Sequence, residues 1–415
     1  MSILPTEVAP VLNQHGNQDT ASPAQPVATE VLIVGGGPAG LAAAIALRQR
    51  GIDCLVVEAR PPGIDKACGE GLMPDSRAVL ARLGVTLKEP DGHPFAGIRF
   101  ANSVHSVDAH FAGGKGIGVR RPHLHALLSA RAEALGARLL WNSHVQLPAA
   151  TPADHAHSPA ASRVALVNGQ PVHYRWLVGA DGQASTVRRW AGLDRASKQS
   201  LRYGFRTHYR VDPAAGFDMV EIHWGRGGQL YLTPVAPDCV CVVYLSRDPR
   251  RGRTEVLEGF PEVARRLATS LNGLDVVSQQ RGAVAATCRL RRVAADCVSL
   301  IGDASGSADS ITGEGLAISF RQALALAESI AGGSLAPYSR VHRKIARLPH
   351  AMGALMLTLD RWPRFELRAM RALAHTPGLF RELLEVHTGD RGLVSVLLRR
   401  GPRLGWSLLA GGASA

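Results

Sequence analysis

Residues 31–40 read Val-Leu-Ile-Val-Gly-Gly-Gly-Pro-Ala-Gly, and they constrain the fold more than any other stretch. Four apolar residues predict a buried strand, and Leu41 to Arg50 predict the helix behind it. Gly35, Gly37 and Gly40 stand at G-x-G-x-x-G spacing, with Pro38 and Ala39 between the last two. The first glycine permits a tight turn, the second lets backbone approach a pyrophosphate, and the third lets helix and strand pack closely. The helix N-terminus adds free N–H groups and the positive end of its dipole. Ile52 to Val57 predict a second strand, closed by Glu58. A carboxylate about 20 residues beyond such a turn suits the hydroxyls of an adenosine ribose.

The chain after Glu58 does not continue as simple βαβ repeats. A Pro/Gly-rich loop runs from Arg60 to Pro74, and Asp75 to Leu83 predict a short helix capped by Asp75. Phe95 to Phe111 alternate like a pair of strands, and Pro122 to Leu135 predict a helix stopped by Gly136. Asn168-Gly169 between apolar runs signals a hairpin. Leu201–Val211, Met219–Trp224, Gln229–Pro234 and Val240–Leu245 read as successive strands of an antiparallel sheet. Glu255 to Leu271 read as one helix, and Gly315 to Ile330 as a long apolar one. From Leu335 the pattern is helical and Arg-rich, with Pro349, Pro363, Pro377 and Pro402 as expected breaks.

The fold class expected is therefore α/β with α+β insertions. It has a Rossmann-like domain, an antiparallel-sheet substrate domain and a helical C-terminal region. The expected boundaries are a disordered tail over 1–28, a discontinuous nucleotide-binding domain from 29–95, 115–198 and 285–334, a sheet domain from 96–114 and 199–284, and helices over 335–415.

Bulk properties narrow the function classes. The formal charge is +13, and lysine is confined to Lys66, Lys88, Lys115, Lys198 and Lys344, so the cations are mostly arginine. Arginine suits bidentate contact with phosphate and carboxylate. Basic stretches are not interleaved with aromatics, which argues against a nucleic-acid partner. No apolar run reaches 18 residues, so no transmembrane helix is expected. Six cysteines without a C-x-x-C pair argue against a zinc ribbon or redox dithiol and fit a reducing, cytoplasmic setting; no metal site is expected. Residues 393–409 mix apolar residues with Arg399, Arg400 and Arg403, and peripheral contact with a membrane surface through them is one reading.

Two further motifs carry chemistry. The first is Val178-Gly179-Ala180-Asp181-Gly182 followed by Ser185, Val187 and Arg188; Asp181 and Ser185 suit a turn and helix cap, and Arg188 is placed to reach a phosphate. The second is Leu300-Ile301-Gly302-Asp303-Ala304, where a carboxylate after a glycine suits a sugar-like hydroxyl. The chain then passes Ile311-Thr312-Gly313-Glu314-Gly315-Leu316 into a helix. Free N–H groups at Gly313, Gly315 and Leu316 suit negative charge on a flavin ring.

Together the three motifs resemble flavin-dependent monooxygenases of the aromatic-hydroxylase type, in a superfamily shared with geranylgeranyl reductases and flavin-dependent halogenases. The resemblance covers Thr29 to Ile330. It implies FAD held by Gly35, Gly37, Gly40, Glu58, Asp303 and Arg121, the last within Val119-Arg120-Arg121-Pro122, with Val145 offering backbone contacts to the adenine. It implies that Asp181 and Arg188 serve both FAD packing and the use of NAD(P)H, a transient reductant without a second Rossmann domain. It further implies hydroxylation through a flavin C4a-hydroperoxide, with the cofactor carrying the difficult step.

Lys66-Ala67-Cys68-Gly69-Glu70-Gly71-Leu72-Met73-Pro74 resembles the flavin-adjacent loop of the reductases, and in part that of the halogenases. Glu70, Lys66 and Cys68 are the catalytic candidates in it. His208, His223 and Tyr231 lie on strands of the expected substrate sheet and are the substrate-binding candidates. Three readings stay open. One is an NAD(P)H- and oxygen-dependent monooxygenase of an aromatic or polyketide-like small molecule, free or carrier-protein-bound. The second is an alkene-saturating reductase, and the third a non-catalytic flavin-binding partner in a biosynthetic assembly.

Overall fold

The computed structural model describes residues 27–148, 163–225, 227–249, 255–269, 273–376 and 378–392, with Ser395, Val396 and Leu398. The expected N-terminal tail up to residue 26, the segment 149–162, Pro377, Pro402 and the arginines Arg399, Arg400 and Arg403 lie outside these residues. The first strand, Val27–Val34, starts two residues ahead of the boundary expected at Thr29.

That strand is the centre of a mainly parallel sheet. It pairs in parallel with Cys54–Val57 on one side and Gln170–Gly179 on the other. Arg138–Leu140 extends the sheet beyond the first neighbour, and Val298–Leu300 beyond the second. Five segments far apart in sequence thus end at one sheet edge, just before Gly35, Glu58, Trp141, Ala180 and Ile301. Ligands of open α/β sheets bind at such carboxyl ends.

The helix Pro38–Arg48 explains its own composition. Leu41, Ala42, Ala43, Ala44, Ile45, Ala46 and Leu47 are all 0 % exposed, because the helix lies between the sheet and the helices Arg121–Ala134 and Gly315–Ala331. Small alanines let these elements approach. Adding bulk to such a packed core costs about 1–3 kcal/mol per site.

The second sheet runs in the order 268–269, 273–276, 196–210, 239–246, 228–236, 220–225, 97–101, 106–110, and 281–290 pairs along the first part of 196–210. It is antiparallel except where 97–101 meets 220–225 in parallel. Its two faces are both covered. Leu230, Leu232, Val242 and Tyr244 pack on Leu257, Phe260 and Val263, while Ile222, Trp224, Tyr231 and Val243 pack on Ile311, Met356 and Met370.

Three local expectations are corrected. The helix expected over Glu255–Leu271 is two pieces, Glu255–Glu258 and Pro261–Leu267. Pro261 cannot donate, and Phe260 before it leaves the helical region at φ −136°, ψ 63°. Pro349 does not break the C-terminal helix, which runs unbroken over Ala336–Arg361. The hydrogen bond lost at Ile345 is tolerated because both halves are anchored, by Tyr338 and His342 before it and Gly353 and Met356 after it, all buried. Finally, Asp75 does not cap its helix: Met73 is the N-cap, without a side-chain bond, and Asp75 instead pairs with Arg321 on Gly315–Ala331.

Candidate active site

The nucleotide end is built from three layers of contact. Gly35 adopts φ +111°, and a Cβ there would stand 2.4 Å from the Ala180 carbonyl oxygen. A Cβ on Gly40 would lie 1.9 Å from the Gly35 oxygen. Gly37 differs from both, since a Cβ there meets nothing within 4 Å. The turn is therefore closed on its protein side and open at Gly37, as a cradle for phosphate requires. Pro38 follows at the first turn of the helix, and Ala39 packs so closely on Gly302 that a Cβ there would approach it to 2.7 Å.

Glu58 reaches back into this turn. Its Oε2 accepts from the Gly36 N–H at 2.7 Å and its Oε1 from the Arg60 N–H at 3.0 Å. His125 and Trp141 complete the underside. His125 Nε2 lies 2.9 Å from the Gly36 carbonyl oxygen, and the Trp141 ring lies where a Gly36 side chain would stand. Neither was marked in the sequence, because neither belongs to the glycine pattern. Val145 lies on the two-residue strand Val145–Gln146, paired with 166–167 at the margin of the same sheet.

Asp181 organises its own turn. It accepts from the Ser185 hydroxyl at 2.5 Å, and from the Thr186 N–H and hydroxyl at 2.6 and 2.8 Å. Arg188 is 7 % exposed and points inward, donating to Asp194 at 2.8 Å, the Gln183 carbonyl at 2.7 Å and the Ala304 carbonyl at 3.2 Å. The contacts Arg188 makes here are internal ones. The residue ties the Asp181 turn to the Asp303 loop, because burial makes those backbone carbonyls its nearest acceptors.

Asp303 follows Gly302, which sits at φ +58°, and its Oδ2 accepts from Lys66 Nζ at 2.9 Å. Lys66 and Asp303 come from opposite ends of the motif set and meet at a half-exposed rim. The Gly302 N–H donates to Gln322 on the following helix at 2.8 Å, so the loop is fixed from below.

The Lys66–Pro74 loop turns on Glu70, a buried residue in the left-handed region at φ +59°. Its Oε1 accepts from the Arg121 N–H at 2.9 Å and Arg206 at 3.0 Å, and its Oε2 lies 2.7 Å from His208 Nε2. Arg206 also forks onto Asp65 at 2.9 and 2.8 Å, and His208 Nδ1 meets Ser278 Oγ at 2.7 Å. Burial alone would raise the Glu70 carboxyl, but hydrogen bonds from His208 and the Arg121 N–H, with the charge of Arg206, hold it below the usual range. Glu70 and His208 therefore lock the loop to the second sheet, and both have their polar atoms engaged. Left-handed backbone in a non-glycine residue costs about 1–3 kcal/mol, which this network offsets.

Cys68 lies beside the lock, its Sγ accepting from the Glu70 N–H at 3.4 Å and from Arg121 at 3.8 Å. Glu70, His208 and Cys241 bring three ligand-type atoms within 4.8 Å of one another. They do not fit a metal ion, because Arg206 already neutralises the carboxylate and burial pushes the Cys241 thiol up, keeping it protonated. Arg121 keeps a buried Nε without a hydrogen-bond partner.

The Ile311–Leu316 loop, expected beside a flavin ring, is tied to the second sheet. Tyr231 donates its hydroxyl to the Ile311 carbonyl at 3.1 Å, fastening the second sheet to the turn before Gly313. Gly313 is left-handed at φ +69°, and a Cβ on Gly313 or Gly315 meets nothing within 4 Å. Between them, Glu314 is 2 % exposed and has an oxygen without a hydrogen bond; that oxygen lies 3.8 Å from His387 Nδ1. Burial pushes Glu314 up to about 8, against the charge of Arg321 and helped by Asp75. Burial also pushes His387 down to about 4. This neutral pair was not singled out in the sequence, since nothing near His387 resembles a motif.

His223 is the candidate the structure moves away. It pairs across from Leu230, whereas Tyr231 pairs with Ile222, so the two stand on opposite faces of the sheet. His223 lies 2.8 Å from Glu221, whose carboxylate takes a two-pronged contact from Arg266 at 2.7 and 2.8 Å. That cluster lies toward the helix Pro261–Leu267, away from Ile311.

Comparison with known proteins gives the family and the fold. Residues 28–333 match the family described as FAD binding domain. A menaquinone reductase of Mycolicibacterium smegmatis is 27 % identical over 362 residues, 80 % of this chain and 85 % of that protein. A 2-heptyl-3-hydroxy-4(1H)-quinolone synthase of Pseudomonas aeruginosa is 30 % identical over 326 residues, 72 % of this chain and 79 % of that protein. Among solved structures, p-nitrophenol 4-monooxygenase from Pseudomonas putida superposes with a TM-score of 0.69 at 19 % identity, covering 84 % of this chain and 94 % of that one.

Proposed function

The chain belongs to the FAD binding domain family, and from this premise we propose that it is an NAD(P)H- and oxygen-dependent monooxygenase of an alkyl-bearing aromatic or polyketide-like molecule. The observation that carries this reading is the apolar packing of the second sheet around the Ile311–Leu316 loop. Ile222, Trp224, Tyr231, Val243 and Met356 pack into one buried cluster with Ile311, while the charged Glu221–His223–Arg266 cluster is confined to the opposite face. Such packing keeps water from that end of the site, and exclusion of water is what the protein must supply when the cofactor does the chemistry. The quinolone synthase supports it, since its named product carries a heptyl chain and a ring hydroxyl.

Bound FAD would supply the redox chemistry between NAD(P)H and oxygen. The chain's residues hold and shield it. Glu58 would hold the adenosine half, and the Gly35–Gly40 turn with Arg121 the phosphates. Asp303 with Lys66 would meet the linking hydroxyls, and the N–H groups after Gly313 the ring. Glu70, His208 and Arg206 act as positioning residues that fix the loop covering the ring.

A second reading has its own observation. The Cys68-Gly69-Glu70-Gly71-Leu72 loop and the menaquinone reductase relative favour a reductase, for which we propose saturation of an alkene. Turnover of alkylated phenols and quinolones under labelled oxygen separates the two. Label in the product supports hydroxylation; an unlabelled, saturated product formed without oxygen supports reduction.

A further inference from the structure

The C-terminal helices carry a surface that the flavin site does not use. On Ala336–Arg361 the exposed residues Arg340, Lys344, Arg347, Ala351, Leu355 and Thr358 recur every three or four positions, so they form one face of the helix, with Arg343 beside them. That face ends at Arg361 and Trp362. The next helix, Pro363–His375, turns Arg364, Arg368 and Arg371 to solvent at the same spacing, while Met370 and Ala372 are buried. Eight exposed cations therefore follow one another over 340–371.

Nothing on these helices neutralises them. Only two acids occur in the two helices, and both are engaged elsewhere: Asp360 accepts from Gln229 at 2.7 Å beside Arg247, and Glu366 accepts from Asn102 at 2.7 Å. The stripe also carries apolar residues where a purely electrostatic surface would not. Trp362 is 59 % exposed between Arg361 and Arg364, Leu355 is 43 % exposed two turns earlier, and Val341 is 40 % exposed near the start. No helix here is long and apolar enough to cross a bilayer among the described residues.

We propose that this face is a docking surface for an anionic phospholipid bilayer. Arginines along one helical face meet lipid headgroups, and an exposed tryptophan flanked by cations suits the interfacial layer, where one end of the ring is wet and the other apolar. An acidic protein would complement the charge alone and would leave Trp362 and Leu355 unexplained. The surface is independent of which reaction the flavin site performs. It places the enzyme where hydrophobic molecules partition.

The test is co-sedimentation of the full-length, FAD-loaded protein with vesicles of phosphatidylglycerol and phosphatidylcholine, against vesicles of phosphatidylcholine alone. Binding to the anionic vesicles is expected to be at least tenfold tighter and to weaken as salt rises. The triple variant Arg364→Glu, Arg368→Glu, Arg371→Glu should lose it, and Trp362→Ala should weaken it several-fold. Lys88→Glu with Lys115→Glu, a charge change elsewhere, should bind within twofold of the parent. Flavin content and melting temperature unchanged in each variant show that folding is intact. Equal binding to both vesicle types overturns the proposal. So does retention on polyglutamate without vesicle binding, or vesicle binding that survives the triple reversal.

Discussion

Gly37 separates cofactor binding from folding more cleanly than any other position in the site. It is the N-cap of the first helix at φ −69° and ψ 175°, a conformation alanine adopts freely. Its missing Cβ faces empty space. Gly37→Ala should therefore cost the empty protein little. Lower entropy of the unfolded chain contributes about 0.4–1 kcal/mol of stability, and the poorer capping of alanine removes a similar amount, so the net change stays within about 1 kcal/mol. The methyl nevertheless stands where phosphate must approach the backbone. Losing one charge-assisted hydrogen bond there costs about 1.5–3 kcal/mol, or roughly ten- to hundredfold in affinity. Gly40→Ala is the contrast. Its Cβ would meet backbone oxygen at 1.9 Å, which cannot yield, so the empty protein should lose about 3 kcal/mol or more. Urea unfolding of the flavin-free forms measures the first quantity, and titration with FAD followed by flavin fluorescence measures the second. If Gly37→Ala binds FAD like the parent, or unfolds as readily as Gly40→Ala, the cradle is misplaced.

Two other perturbations follow from the buried groups. Glu314 is held neutral up to about pH 8 when folded but ionises near 4.5 when unfolded, so its contribution to stability is complete below 4.5 and declines as pH rises toward 8. Glu314→Gln should therefore unfold at higher urea than the parent by a margin that grows from pH 5 to pH 8, on the order of 1–3 kcal/mol at the top, and then levels off. Parallel pH profiles for the two proteins would show that Glu314 is charged in the fold. Glu70→Ala strips the buried partner from His208 and one of the two from Arg206, and should cost about 3–5 kcal/mol by thermal or urea unfolding. A loss below about 1 kcal/mol would mean the loop is not locked through this carboxylate.

Local signals in the sequence read well where one segment determines its own geometry. The Val31–Gly40 strand–turn–helix and the Asn168-Gly169 hairpin are of this kind; Asn168 and Gly169 both take positive φ, as a two-residue hairpin turn demands. The three motifs also converge as expected, because parallel strands deliver their ends to one edge. What stayed hidden depends on register and on distance along the chain. Glu70 and His208 are 138 residues apart, and no spacing rule links them. Alternation puts His223 on a face but cannot say which face looks toward Ile311; only the pairing of Ile222 with Tyr231 does. One acceptor of Arg188 is likewise remote, since tertiary packing brings the Ala304 carbonyl, 116 residues away, to 3.2 Å. Local rules predict a break at Pro349, and the burial of both flanking turns overrides them.

The central claim is that this fold aims a hydrophobic aromatic molecule at FAD for oxygen insertion. Its most direct test is mass analysis of product formed under ¹⁸O₂ by the FAD-loaded protein with NAD(P)H and a panel of alkylated phenols and quinolones. The account predicts a product carrying one labelled oxygen atom, formed only when oxygen is present. A product without label, or substrate consumed equally well in the absence of oxygen, would contradict it.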